Sequence, residues 1–143
     1  MCQSDDIGFF IKLIHECIEK KANHTLKAFD LTLSQARILF YLHDHQDAQT
    51  SQKDLEDFFE VTHPTIIGIL NRLERKGFIR SESNSKDKRV KNIFLTDQGG
   101  QIFCSMDHFR ETTEENMLRD LTNDQIKELQ STLKTVYKNI QEL

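Results

Sequence analysis

A chain of 143 residues with net charge −4, 29% charged and 37% hydrophobic residues is sized for one domain, and such a domain buries roughly two thirds of its unfolded surface without a disulfide or metal staple. Its three cysteines, Cys2, Cys17 and Cys104, form no CxxC pair and imply no disulfide framework. No apolar run approaches the ~18 residues of a membrane span, and the N-terminal MCQSDDIGFFIKLIHE lacks the basic flank of a signal peptide, so a cytoplasmic protein is expected.

Ile7, Phe10, Ile11, Ile14, Ile18, Ala22 and Leu26 recur in steps of three and four, which predicts an amphipathic helix over about 5–29. Asp5 and Asp6 suit its positive end. Phe9 lies off the stripe, where it can meet another chain. After a break at Leu31–Ser34, Ser34 is read as the cap of a second helix to about His43, with Ala36, Ile38, Leu39, Tyr41 and Leu42 apolar. The segment 43–48 reads as a loop. Thr50 or Ser51 opens a third helix, with Asp54 in a box-like cap and Leu55, Phe58 and Phe59 facing inward. Glu60–Val61 is the turn.

Thr62 caps the fourth helix, Pro64 sits in its first turn, Ile66, Ile69, Leu70 and Leu73 form its core stripe, and Gly77 ends it. Residues 78–82 and 90–95 are strand-like, and the polar segment 83–89 between them predicts a hairpin with a longish loop. Thr96 caps a fifth helix carrying Ile102, Phe103, Met106, Phe109, Met117 and Leu118. Gly99 and Gly100 fall in its first turn, where glycine costs least. Thr122 and Gln125 make a capping box for a sixth helix with Ile126, Leu129, Leu133, Val136, Tyr137 and Ile140. The order is four helices, a hairpin and two helices.

The charge is unevenly spread. Residues 72–91 hold eight Lys or Arg (Arg72, Arg75, Lys76, Arg80, Lys86, Lys88, Arg89 and Lys91) against Glu74, Glu82 and Asp87, a net +5 that leaves −9 for the remainder. One basic segment on an acidic body is the footprint of a phosphate-binding protein, although a merely solvated surface has the same composition. Two short helices joined by a tight turn describe a helix-turn-helix, whose second helix enters the major groove by its N-terminal residues. Thr62, His63, Thr65 and Asn71 are short donors and acceptors suited to base edges and phosphates. Arg72 and Arg75 reach phosphate or guanine, and Arg89 suits a narrow minor groove.

The ordered marks go further. Leu55, then Val61-Thr62-His63-Pro64-Thr65, then Leu73-Glu74-Arg75-Lys76-Gly77-Phe78-Ile79-Arg80, then Asp87-Lys88-Arg89, then Leu95-Thr96-Asp97-Gln98-Gly99 resemble the winged-helix core of the MarR family of bacterial transcription regulators. Leu33-Ser34-Gln35-Ala36-Arg37-Ile38-Leu39 resembles that family's second helix. The resemblance covers essentially the whole chain. It implies a mainly α fold with a small β-hairpin wing. The winged helix-turn-helix lobe (about 34–96) would be flanked by dimerisation helices (about 5–29 and 97–143).

The function implied is a sequence-specific regulator, a homodimeric repressor on a pseudo-palindromic DNA operator, relieved by a small ligand. The DNA contacts implied are Ser51, Gln52, Thr62, His63, Pro64, Thr65, Gly68, Asn71, Arg72, Arg75, Lys86, Asp87, Lys88 and Arg89, with Asp87 holding the Arg89 guanidinium. Gly68 is a departure, since many relatives carry a long side chain there, and Ile67 beside it is apolar. A crevice for small aromatic or phenolic effectors would be lined by His15, Arg37, Phe40 and Tyr41, with Arg37 facing a carboxylate.

No cofactor or metal is expected. Zinc-sensing relatives place histidines where this chain has Arg37, and only His108 lies in the fifth helix. The cysteine of peroxide-sensing relatives falls nearer Gly8 than Cys17. No nucleophile–base pair, phosphate loop or carboxylate pair points to an enzyme. The alternatives are a winged-helix protein-interaction module without DNA binding, which Ile67 and Gly68 would suit, and a cysteine-based redox-sensing regulator.

Overall fold

A computed structural model describes residues 5–143. Cys2 lies outside them. The elements are α1 (Ile7–Leu26) followed by a 3₁₀ turn (Lys27–Phe29), α2 (Leu33–Asp44), β1 (Thr50–Ser51), α3 (Gln52–Phe59), α4 (His63–Arg75), β2 (Ile79–Ser83), β3 (Lys91–Leu95), α5 (Asp97–Leu118) and α6 (Asn123–Gln141). Two compact units divide the chain at Phe109 and Arg110, within α5.

In the first unit the core gathers Leu26 from α1, Ile38 and Leu39 from α2, Leu55 from α3, Ile66 and Leu73 from α4, and Ile79 from β2, all fully buried. The sheet has the order β1-β3-β2, antiparallel throughout. Ser81 pairs with Ile93 in the hairpin, and Thr50 pairs with Ile93 on the other edge. The predicted hairpin is therefore the larger part of a three-stranded sheet. Two residues are too few to show an alternating pattern, so β1 left no mark in the sequence.

Local chemistry sets the helix ends. Asp6 caps α1 by accepting from the Phe9 N–H. The cap of α2 is Thr32, not Ser34. Thr32 and Gln35 exchange hydrogen bonds of 3.2 and 3.3 Å in a capping box. A box needs an acceptor three residues on; Ser34 has Arg37 there, a donor only, whereas Thr32 has Gln35. The helix also runs on through His43 and Asp44, which the sequence assigned to a loop. Ser51 and Asp54 close a second box, and Thr122 and Gln125 a third.

Phe58 was expected inward but is 62% exposed. Leu55 is the centre of α3's buried stripe, and Phe58 falls on the stripe's edge beside Tyr41 and Phe59, at ring distances of 4.6 and 5.0 Å. Ile69 of the α4 stripe is half-buried.

Gly77 ends α4 with φ +82°, a left-handed conformation costly to residues with a Cβ. Phe78 N–H reaches Leu73 O and Gly77 N–H reaches Glu74 O, each at 3.0 Å, the paired bonds of a Schellman motif. Thr96 then ties this exit to α5: its hydroxyl donates to Gly77 O at 2.7 Å and accepts from Gly99 N–H at 3.2 Å. Gly99 is also required sterically. A Cβ there would lie 2.3 Å from Phe78 O and 2.6 Å from Leu95 Cδ1, whereas one on Gly100 meets nothing within 4 Å.

In the second unit α6 buries no residue fully, and Leu129, Leu133, Tyr137 and Ile140 are exposed along it. No helix among the described residues is long and apolar enough to cross a membrane.

Candidate nucleic-acid interface

The fourth helix carries its core stripe on one side, so spacing decides what the other side shows. Pro64, Gly68, Asn71 and Arg75 lie opposite the buried Ile66, Leu70 and Leu73. Thr65 and Arg72 occupy one flank; His63 and Ile67 occupy the other. Thr62, His63, Pro64, Thr65, Asn71, Arg72 and Arg75 are all exposed. Thr62 takes the N-cap position, but its side chain does not cap the backbone. Its hydroxyl meets that of Thr65 at 2.9 Å.

Gly68 leaves a dip in the middle of the exposed face. Arg72, one turn on, lies across it: its Nη1 is 3.9 Å from where a Cβ of residue 68 would sit. A long cationic side chain thus covers position 68 from position 72.

The wing tip is built by two short polar side chains. Asn84 Oδ1 accepts from the N–H groups of Lys86 and Asp87 at 2.8 and 3.2 Å, a local turn of the kind asparagine favours. Asp87 Oδ1 accepts from the Arg89 N–H at 3.0 Å and from its Nε at 3.2 Å, and Oδ2 accepts from Nη2 at 3.3 Å. The guanidinium fork and, after it, the Arg89 N–H hold the Asp87 carboxyl below its ordinary pKa. Arg89 is nevertheless 91% exposed, pinned at its base and open at its end.

Helix and wing meet at a cleft of about 470 Å³. Its walls include Gln52 and Glu56 of α3, His63 and Ile67 of α4, and Arg89 and Lys91 of the wing. Ser51 and Lys53 also line it. Ser51's oxygen already accepts from the Asp54 N–H at 3.1 Å, leaving its hydroxyl hydrogen to donate. His63 Nδ1 is hydrogen-bonded to Glu56 Oε1, and Gln52 Nε2 lies 3.3 Å from the same nitrogen. The His63 bond is the main cause holding Glu56 below its ordinary pKa, against the opposing effect of its partial burial.

The structure thus brings Gln52, His63 and Arg89 together, and Lys86, Lys88 and Arg89 onto one tip. It also gives two cations of the basic segment partners within the lobe. Lys76 donates to Asp30 O and lies 3.4 Å from Gln35 Oε1, tying the end of α4 to the α1–α2 junction. Arg80 pairs with Glu82 and lies over the Phe94 ring, 4.4 Å from its centroid. Lys76 is thereby drawn off the outward surface, whereas the Arg80–Glu82 pair is already balanced within the +5 of residues 72–91.

Glu56, Asn84 and Lys53 were not among the contacts expected from the sequence, and Lys91 counted there only toward the basic segment. Asn84 carried a signal, an asparagine opening a polar loop. Glu56 carried none, since its role appears only when α3 and α4 are brought together.

The four effector candidates have different neighbours. Phe40 meets Phe103 of α5 edge-on at 5.8 Å, while Tyr41 stacks on His45 at 3.9 Å and touches Phe58 and Phe59. His15 lies 3.6 Å from Glu19 and Arg37 is exposed. A second cleft of about 560 Å³, beside the α2–β1 loop, β3 and the start of α5, is lined by none of the four. Cys17 and Cys104 are free and exposed. Among the described residues, no three His, Cys, Asp or Glu side chains converge as metal ligands.

The chain's likeness to known proteins agrees with this arrangement. The MarR family model matches residues 29–90, from the 3₁₀ turn to the end of the wing tip. An uncharacterized HTH-type transcriptional regulator of Bacillus subtilis (strain 168), YybA, is 25% identical over 137 residues, covering 96% of this chain and 90% of its own. The crystal structure of MepR, a transcription regulator of the Staphylococcus aureus multidrug efflux pump MepA, matches with a TM-score of 0.83 at 25% identity, over 94% of this chain and 98% of that one. MepR in complex with DNA matches with a TM-score of 0.75 at 25% identity, over 94% and 96%. With two helices joined by a turn, a polar-faced fourth helix and a pinned wing in that family's order, this chain is similar to the MarR family of winged-helix transcription regulators.

Proposed function

We propose that this regulator binds duplex DNA sequence-specifically as a cytoplasmic homodimer and represses from a pseudo-palindromic operator until a small aromatic or phenolic ligand releases it. The observation that carries the DNA reading is the shared cleft: Gln52 and His63 of the helix pair and Arg89 of the wing line one surface. A recognition helix with a polar outer face can enter a major groove while the adjacent basic tip reaches the neighbouring minor groove. MepR, the relative solved with DNA, has the same fold. The face comprises Ser51, Gln52, Thr62, His63, Pro64, Thr65, Gly68, Asn71, Arg72, Arg75, Lys86, Asp87, Lys88 and Arg89. Its chemistry is recognition, not turnover.

Exposed apolar residues support the dimer. Ile7, Phe10, Ile11 and Ile14 line α1, with Ile7 68% exposed, and Leu129, Leu133, Tyr137 and Ile140 line α6. Apolar stripes of this length are the material of an obligate interface. On this reading residues of about 5–29 and 97–143 form the dimerisation region, and about 34–96 the DNA-binding lobe. Ligand release rests on the family resemblance, with Arg37 the exposed cation available to a carboxylate.

The test is binding to duplexes from upstream of the protein's own coding region, across a salt series. Affinity is expected to fall linearly with log salt, by about 0.9 per phosphate neutralised. Binding absent at every salt concentration refutes the DNA reading. Sedimentation of the wild type beside Ile14→Glu and Leu133→Glu tests the dimer, with dissociation expected in both variants.

A further inference from the structure

Glu56 stands between the two side chains of the helix pair that face the wing. Its own side chain is only 15% exposed. From α3 it accepts a hydrogen bond from His63, the first residue of α4. Gln52, one turn earlier on α3, shares its face and also stabilises the carboxylate. A carboxylate only accepts, so the proton of this bond sits on His63 Nδ1. Gln52's amide, 3.3 Å from that nitrogen, then has nothing to donate to there and turns to the carboxylate.

We propose that Glu56 is a positioning residue for base recognition: it fixes the His63 ring and the tautomer of its neutral form, so that whenever the ring carries one proton, Nε2 is left as a lone-pair acceptor on the exposed side. An acceptor at that point selects a base carrying an exocyclic amine in the major groove, the N6 amine of adenine or the N4 amine of cytosine. With the ring released, the opposite tautomer presents an N–H and selects the acceptor edges of guanine or thymine. Specificity at one base pair per half-site is then set by a residue that touches no DNA. This inference rests on the DNA-binding reading above.

Nitrogen-15 NMR of the full-length protein, free of DNA at pH 8, reports the His63 tautomer directly. The wild type is expected to hold Nδ1–H. Glu56→Gln, whose amide oxygen still accepts, is expected to keep it, and Glu56→Ala to lose it. A selection from random duplexes with wild type and Glu56→Ala then reads specificity. The amine-bearing base at one position per half-site is expected to lose about fivefold or more of its advantage, with Glu56→Gln restoring it. Thermal melts of both variants separate this effect from unfolding. A wild-type His63 protonated on Nε2, or a folded Glu56→Ala that binds with unaltered base preference, overturns the proposal while leaving DNA binding intact. Absence of any duplex binding by the wild type overturns the DNA reading and this proposal with it.

Discussion

The Arg89 guanidinium sits in the fork of the Asp87 carboxylate, Nε 3.2 Å from Oδ1 and Nη2 3.3 Å from Oδ2, while Asp87 also accepts the Arg89 backbone N–H. Two residues apart on a loop, they form a self-contained mount: one side chain fixes both the backbone and the direction of the other. An exposed ion pair adds little to stability. Its consequence lies in pre-ordering, since a guanidinium already aimed has less freedom to lose on binding.

Removing the mount and removing the cation should therefore differ. Arg89→Ala is expected to weaken operator binding roughly tenfold and to reduce the salt slope by about 1, because one cation is gone. Asp87→Asn keeps the cation, so affinity should fall while the salt slope stays. Fluorescence anisotropy titrations across a salt series distinguish the two.

Acid should loosen the wing. The Asp87 carboxyl is held below its ordinary pKa by the Arg89 hydrogen bonds. A carboxyl depressed by folding contributes stability above its unfolded pKa of about 3.9, and that contribution disappears as pH falls through the lower folded value. The amides of Lys86, Asp87 and Arg89 are expected to lose their dispersion in NMR spectra below about pH 4. In Asp87→Asn this acid transition should be absent.

Gly68 separates stability from binding. A Cβ there finds open space, with Arg72 Nη1 nearest at 3.9 Å. Gly68→Ala should stabilise the helix by about 0.5–1 kcal/mol, since glycine is entropically costly mid-helix. Gly68→Leu is expected to weaken DNA binding, as its bulk lifts the backbone and displaces Arg72. Thermal melts and operator titrations of the two variants check both halves.

The two glycines of α5's first turn should behave oppositely. Gly99→Ala forces a methyl against Phe78 O and Leu95 Cδ1, an overpacking expected to cost about 1–3 kcal/mol or more. Gly100→Ala, facing open space, should be neutral or stabilising by up to about 1 kcal/mol. Urea unfolding midpoints give the comparison.

Much of the site was legible because it is local. Val61 to Arg80 announces a turn, a helix start and a glycine exit within twenty residues, and each is a contact between neighbours in the chain. The Asp87–Arg89 pair spans two positions. The Thr122–Gln125 box spans three, and it formed as expected. The choice between Ser34 and Thr32 is made on this same local scale, where the residue three positions on decides which hydroxyl closes a box.

Other features were out of reach for a different reason. Lys76 and Arg80 counted as free cations until tertiary contacts with Asp30, Gln35 and Phe94 occupied them. Phe58 counted as core until α3's orientation left it on the rim.

The order of elements, the glycine end of the fourth helix, the basic wing and the likeness to one family were legible in the chain alone. All of these follow from hydrophobic period, turn chemistry and motif order, which act over a few residues. Four features became visible only in the folded chain: a third strand closes the sheet, Gly99 has no room for a Cβ, Arg72 covers the dip at Gly68, and Glu56 grips His63. The first two join atoms far apart in the chain, and the last two join side chains whose meeting depends on how a helix face or a helix pair is packed, which hydrophobic period and turn chemistry do not specify.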